Sequence, residues 1–320
     1  MAAAVWYVAG HTGLLGSALA RRLGGRADVR LVTATRAQLD LTHPRAVDAF
    51  LQRERPDVVV MAAGTIGGIA ANACRPAEFI YQNLMIEANV IHGAWKAGVA
   101  RLLNFGSGCM YPKYCPQPMR PEHLMTGMLE PTSEPYAMAK LAGWSMCAAY
   151  NRQYGTRFLT AIPATLYGPG DHVEPDGAHV IPALLTKFHQ AKAGRQEAVT
   201  LWGTGQARRE FLYVDDAAEA CERLLECGTT DAPINMGSGR AQTIQELAAL
   251  IVRVVGYEGR LVWDASRPDG SPEKLLDSSV LRGLGWAPRT DLLAGLRRAY
   301  AWFITHQAEG VTPEVACISS

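Results

Sequence analysis

Missing from this chain are a long apolar run, an excess of either charge and any paired-cysteine spacing, and each absence removes a class of protein. Without an apolar stretch of membrane-spanning length there is no candidate transmembrane helix. With 31 Lys and Arg against 30 Asp and Glu, and a formal net charge of +1, there is no broad field to hold nucleic acid or an anionic membrane. Local clusters of Arg and Lys can still grip a phosphorylated ligand. Seven cysteines, Cys74, Cys109, Cys115, Cys147, Cys221, Cys227 and Cys317, form no C-x-x-C pair, and no His stands at ligand spacing. Neither a disulfide framework nor a metal site is expected. The first residues, MAAAVWYVAG, lack the charged start and cleavage pattern of a secretion signal, and no internal repeat is present. What remains is 320 residues, 48% hydrophobic and 19% charged, enough for one large core or two modest ones. The expectation is a compact cytoplasmic protein with reduced thiols and a small-molecule partner, not nucleic acid or membrane.

Apolar segments alternate with helical patterns through the first half. VWYVAG (5–10), VRLVTAT (29–35), DVVVMAAG (57–64), RLLNFGS and RFLTAIPATLYGPG read as strands. Between them LLGSALARRLG, HPRAVDAFLQRERP, AEFIYQNLMIEANVIHGAWKAG and EPYAMAKLAGWSMCAAYNRQYG read as helices. Such alternation predicts an α/β fold with a Rossmann-type doubly wound parallel sheet. From about residue 167 the pattern loosens into Gly/Pro-rich loops, short helices such as VIPALLTKFHQAKAG and isolated strands such as AVTLWG, which predicts a smaller α/β substrate-binding domain. The expected division is 1–166, with a return segment at about 210–237, against 167–209 and 238–307, followed by a loose tail over 308–320.

In VAGHTGLLGSALARRL, Gly10, His11, Thr12, Gly13, Leu14, Leu15 and Gly16 fill the turn between the first strand and the first helix. Glycines there permit a tight turn, let backbone approach a pyrophosphate and let helix pack on sheet, while the helix start offers amide donors. A glycine triplet alone is weak evidence, and its position in the first strand-to-helix turn favours dinucleotide binding over a plain Gly-rich turn. The second strand is followed by TATRAQLD. Arg36 stands where the 2′-phosphate of NADP would lie, and a guanidinium suits a phosphate, so NADP is favoured over NAD. In the alternative reading Arg36 is a surface residue and Asp40 is the nearest acid for a ribose. Asp40 and Leu41, with Ala62, Ala63 and Gly64, are expected along the adenine and ribose side.

PYAMAK holds Tyr136 and Lys140 four apart, one helical turn apart on a common face. A neighbouring ammonium is expected to draw the phenol toward neutrality and make it a usable acid or base. Upstream, NFGSGCM places Phe105, Gly106, Ser107 and Cys109 at the end of a strand. Together with the glycine motif, Ser107, Tyr136 and Lys140 resemble the catalytic set of the short-chain dehydrogenase/reductase superfamily, with Lys140 also holding the nicotinamide ribose.

Longer blocks narrow the resemblance. CMYPKYCPQPMRPEHLMTGMLEPTSEPYAMAKLAG (109–143), DGAHVIPALL (176–185), LWGTGQARREFLYVDD (201–216) and DASRPDGSPEKLLD (264–277) look like those of the GDP-L-fucose synthases. The similarity runs from the glycine motif to about residue 305. It implies two stages in one site: Cys109 and His179 exchange protons at C3 and C5 of a 4-keto sugar, and NADPH then reduces C4 while Tyr136 protonates the oxygen. It also implies that His179, Pro163, Ala164, Thr165 and Leu166 border the nicotinamide, and that Lys187, Trp202, Arg209 and Asp277 hold the GDP-sugar. A homodimer through helices at about 75–97 and 135–152 follows likewise. Taken singly, Cys109 reads better as packing and His179 as a loop histidine, while Lys187 reads equally as a solvated helix residue, Trp202 as core and Asp277 as a helix cap.

This chain departs from the usual pattern at Gly108, where Ser or Thr is general, at Thr65 in place of a common Lys, and at Thr12 in place of an Arg. The rival readings are a sister enzyme acting on another GDP-4-keto sugar of colitose or heptose type, a UDP-sugar 4-epimerase with tightly held NAD, and a non-catalytic NADP-sensing protein. Arg36 argues against the second, and the intact Ser107, Tyr136 and Lys140 argue against the third.

Overall fold

The computed structural model describes residues 3–171, 179–226, 228, 230–267 and 269–307. The expected tail over 308–320 lies outside them, as do Cys227, Cys317 and the start of the DGAHVIPALL block. The chain runs β1 (Ala4–Ala9), α1 (Leu14–Leu23), β2 (Val29–Val32), α2 (Pro44–Glu54), β3 (Val58–Met61), α3 (Ile69–Cys74), α4 (Pro76–Lys96), β4 (Arg101–Phe105), α5 (Glu134–Tyr154), β5 (Arg157–Pro163) and β6 (Thr165–Tyr167). It continues α6 (Val180–Ala193), β7 (Ala198–Trp202), β8 (Arg208–Tyr213), α7 (Val214–Glu226), β9 (Ile234–Met236), β10 (Ala241–Thr243), α8 (Ile244–Val255), β11 (Arg260–Asp264), β12 (Glu273–Lys274), α9 (Ser279–Gly283) and α10 (Leu292–Gln307).

Among the described residues the main sheet has six strands in the order β2-β1-β3-β4-β5-β9, every pair parallel. This is the doubly wound α/β architecture that the alternation predicts. Both faces are covered, so strand residues are apolar on both sides. Trp6 and Val8 pack against α1 and α7, while Tyr7 and Ala9 pack against residues of α2 and α4. The second strand stops at Val32 rather than running to 35, because Gln38 accepts from the N–H and hydroxyl of Thr35 and turns the chain there. RFLTAIPATLY divides into two strands. Pro163 ends the pairing of β5 with β9, and β6 leaves the main sheet to pair with β8.

In a second sheet, β8 lies between β10 and β12, and β7 pairs with β11 in a third. Helices α6, α8 and α10 cover these strands through a core that includes Phe188, Phe211, Leu247, Ile251 and Leu296. The helix starting at Ile244 is launched by a capping box in which Thr243 and Glu246 accept each other's backbone N–H. A strap over residues 110–120 ties the two parts together. Tyr111 donates to Asn235 (2.7 Å), Asn235 donates to the Met119 carbonyl (2.8 Å), and Met119 bridges to Leu276.

Glu210 of β8 serves the same junction. Only 2% exposed, it accepts from the N–H groups of Gly239 (2.6 Å) and Leu276 (2.8 Å), which outline a backbone pocket for its carboxylate. Glu210→Ala would leave two inward-facing amides without an acceptor. The expected loss is about 2–4 kcal/mol in urea denaturation at unchanged m-value, and a loss under about 0.5 kcal/mol, the range of surface substitutions, would remove this role.

Candidate active site

The sheet order reverses between β1 and β3, and ligands of doubly wound folds gather outside the carboxyl ends of the strands at such a point. Gly10 leaves β1 at φ +80°, and a Cβ there would lie 2.7 Å from the Ala62 carbonyl. A Cβ on Gly16 would lie 2.0 Å from the Gly10 oxygen. Neither position accepts a side chain. Gly13 caps α1 with no side-chain acceptor, so the amide donors at the helix start are left to a ligand and suit a phosphate. His11 Nδ1 is buried without a hydrogen-bond partner among the described residues. This turn therefore fits a nucleotide pyrophosphate. Across from it, Asn83 accepts from the Thr65 N–H (3.0 Å) and donates to the carbonyls of Thr65 and Phe79, locking the loop of Ala62, Ala63 and Gly64 onto α4. Thr65 also donates to Gln82 (2.6 Å).

Arg36 is exposed beyond the end of β2. Asp40 accepts from the N–H and hydroxyl of Thr42, and these bonds, with Arg36 nearby, hold its carboxyl below the usual aspartate range. Leu41 is buried in the core beneath.

Ser107 follows β4 and accepts from the Cys109 N–H at 3.2 Å, which sets hydroxyl and thiol on one short turn over Gly108–Met110. Tyr136 and Lys140 stand on α5, with Nζ 5.9 Å from the phenol ring centroid and Phe79 edge-on to the ring. A Cβ on Gly64 would come within 3.8 Å of the same Nζ. Lys140 is paired with Glu87 of α4 at 2.7 Å, both side chains almost fully buried. Burial draws the ammonium down, but Glu87, followed by Tyr136, outweighs it and leaves Lys140 above its ordinary value. For Tyr136 the structure corrects the expectation of a lowered pKa. Burial is the largest influence and lifts the phenol; Lys140 and a hydrogen bond from Ser107 pull down, Cys109 and Glu87 push up, and the net direction is upward. Lys140 lowers it less than a lone ammonium would, because Glu87 shares its charge.

Ser107, Cys109, Tyr136 and Lys140 thus form one cluster. Arg209 of β8 reaches it electrostatically, its guanidinium drawn down by burial and supported by Asp269 and Cys109. His179 is the cap of α6, with Nδ1 3.8 Å from the buried Asp171. Pro163, Ala164, Thr165 and Leu166 occupy the crossing from β5 to β6. Lys187 donates to the Thr200 carbonyl (2.5 Å), and Trp202, 69% exposed rather than core, lies under the Arg267 guanidinium at 5.1 Å. Asp277, one residue before the Ser278 cap of α9, accepts from the Ser279 N–H (2.9 Å) and pairs with Arg120 (3.1 Å). The sequence reading had no place for Glu87, Asn83 and Asp171. The signal for the first two is legible: Phe79, Asn83, Glu87 and Ile91 recur every four residues on the buried stripe of α4, so two polar groups interrupt an apolar face.

Residues 6–237 match the profile described as "NAD dependent epimerase/dehydratase family". The chain belongs to that family. It is 49% identical over 298 residues to "GDP-L-fucose synthase 1" of Arabidopsis thaliana, covering 93% of this chain and 92% of the relative. Among solved structures it is similar to a GDP-6-OMe-4-keto-L-xylo-heptose reductase from C. jejuni, with TM-score 0.90 and 36% identity over 95% of this chain and 98% of that one. A GDP-mannoheptose C4 reductase from Campylobacter jejuni with NADP bound has TM-score 0.85 and 37% identity, over 94% and 98%.

The ion pair at Asp277 has a pH signature. The Ser279 hydrogen bond, then Arg120 and Arg282, hold its carboxyl below the ordinary 3.8. A lowered folded-state pKa means that the ionised form adds stability at neutral pH, and that this contribution fades as pH falls below 3.8 toward the folded value. Asp277→Asn is expected to lower Tm at pH 7 and to converge with the parent in strongly acidic buffer. A gap that persists unchanged across pH would show that the charge plays no part.

Proposed function

We propose that this chain is an NADPH-dependent epimerase/reductase that converts GDP-4-keto-6-deoxy-D-mannose to GDP-L-fucose in the cytoplasm. The observation that carries the reading is the placing of Ser107 and Cys109 on one turn beside Tyr136 and Lys140. The C4 ketone acidifies the hydrogens at C3 and C5, and inversion at each carbon needs a base on one face and an acid on the other. Cys109 and His179 take these roles. NADPH supplies the hydride for C4. Ser107 orients the ketone oxygen, Tyr136 donates the phenolic proton to it, and the Lys140 ammonium faces the phenolate that is left. Arg36 receives the 2′-phosphate, the amides leading α1 receive the pyrophosphate, and Lys187, Trp202, Arg209 and Asp277 border the GDP-sugar.

A sister GDP-4-keto sugar is the second reading, favoured by Gly108. Among the described residues no atom lies within 4 Å of a Cβ built there, so the glycine leaves open beside Cys109 the space that the Ser or Thr usual in the resembled family would fill. No described helix is long and apolar enough to cross a membrane. Incubation with GDP-4-keto-6-deoxy-D-mannose and NADPH in deuterated water is expected to consume NADPH and yield GDP-L-fucose labelled at C3 and C5. Cys109→Ser is expected to lose most of that label, and Arg36→Ala to lose about 10- to 100-fold in preference for NADPH over NADH. No NADPH consumption by the parent would reject the reading, and a different labelled sugar as the better substrate would replace it with the second.

We further propose a homodimer through α4 and α5. Tyr81 and Met138 are exposed on them, and Leu84, Met85, Ala142 and Met146 are only half-buried, an apolar strip that a second copy would cover. Sedimentation should report twice the chain mass for the parent and a single chain for Met138→Glu/Ala142→Glu; a monomeric parent would end this proposal.

A further inference from the structure

Glu87 is the one buried carboxylate in contact with the Ser107–Tyr136–Lys140 cluster among the described residues, and nothing in the reaction above uses it. It sits 1% exposed on α4, its Oε1 2.7 Å from Lys140 Nζ. Asn104, wholly buried on β4, lies beside the same carboxylate. The α5 helix leaves room for it: a Cβ on Gly143, one turn beyond Lys140, would sit 1.3 Å from Glu87 Oε2, so any larger residue there would displace the carboxylate from its place. Glycine inside a helix costs about 1 kcal/mol relative to alanine. A buried ion pair is often no more stabilising than apolar residues of similar volume. Stability therefore gives little reason for this pair and its glycine, and the reacting phenol next to Lys140 gives a better one.

We propose that Glu87 is a positioning residue for the reduction, acting through Lys140: its buried carboxylate fixes the place and the charge of the ammonium that serves Tyr136. Lys140 is 4% exposed, so an ammonium there without a counter-ion would favour the neutral amine. Glu87 keeps the proton on and draws Nζ toward α4. Tyr136 then starts the step as a phenol, and the ammonium is in place to face the phenolate once the proton has moved to the substrate oxygen. The proton exchanges at C3 and C5 run through Cys109 and His179; Tyr136 then only hydrogen-bonds the C4 oxygen and keeps its proton, so they lean on that ammonium less than the reduction does.

The inference rests on the epimerase/reductase reading, and the two half-reactions separate them. In the intact chain with GDP-4-keto-6-deoxy-D-mannose and NADPH, the parent, Glu87→Gln, Lys140→Met and the double variant are compared for hydride transfer and for deuterium exchange at C3 and C5. Glu87→Gln is expected to lower kcat for reduction by roughly 10- to 100-fold, the range seen when a group that orients a catalytic ligand is removed. The ratio of reduction to exchange should fall by tenfold or more, with KM for the sugar changed less than about threefold. Added to Lys140→Met, the same substitution should have almost no further effect on reduction. If Glu87→Gln does not fold, Glu87→Asp, which sets the charge one methylene back, takes its place and should show the same fall in ratio. Reduction and exchange falling together, or additive effects in the double variant, would overturn the role of Glu87. A parent that never oxidises NADPH would instead overturn the reading on which it rests.

Discussion

Everything that handles a nucleotide in this molecule depends on how closely α1 leaves β1. The Cα of Gly16 stands so near the Gly10 carbonyl that no side chain fits between them, and Gly10 itself presses on the backbone of Ala62. That approach holds the start of α1 directly over the carboxyl ends of β1 and β3, where its leading amides add to the positive end of the helix dipole. It also sets the rest of the chain. Gly170 passes close to Ser17, and Val214, Ala217 and Cys221 of α7 share one core with Leu15, Leu19 and Leu23 of α1. The segment bearing Arg209 thus enters the site at a position fixed by the first turn of the first helix.

The groups proposed to react or to hold the sugar are spread over four elements, and each is placed by local structure that takes no part in the chemistry. Ser107 and Cys109 are set by their own turn, Tyr136 and Lys140 by helix spacing, His179 by the start of α6, and Arg209 by the pairing of β8 with β12. The strap through Met119 and Asn235 and the buried carboxylate of Glu210 keep the second sheet against the first. Under the proposed mechanism, a site assembled this way would hold the proton exchange and the hydride step side by side without one residue serving both as acid for C4 and as base at C3.

Much of this is legible in the residues. The parallel sheet, the glycine turn and the Tyr136 and Lys140 spacing follow from period and position, because each is a local pattern. Where the chain changes partners, local pattern is silent: RFLTAIPATLY reads as one strand, and only the pairing of β6 with β8 shows that it serves two sheets. Trp202 and Asp277 illustrate another limit. Composition cannot tell a buried tryptophan from one lying under Arg267, nor a ligand carboxylate from one capping Ser279. Glu87 shows in the sequence only as a polar break in the stripe of α4; its role is not legible there, since its partner lies on another helix and the glycine that makes room for it looks like an ordinary weak spot in α5.

The spacing of Tyr136 and Lys140 suggests a phenol eased toward its anion, and the folded environment reverses that. Burial opposes the phenolate, and Lys140 divides its charge between Tyr136 and Glu87. A phenolate would be the ready base for oxidising an alcohol, whereas a phenol is the ready acid for a carbonyl oxygen gaining negative charge. In the proposed reduction the ammonium would meet the phenolate at the end of the proton transfer rather than at its start, and a group that stabilises charge as it develops is the one that lowers a barrier. The carboxylate under Lys140 and the burial of Tyr136 therefore act in one direction, both favouring the phenol form that the proposed reduction calls for.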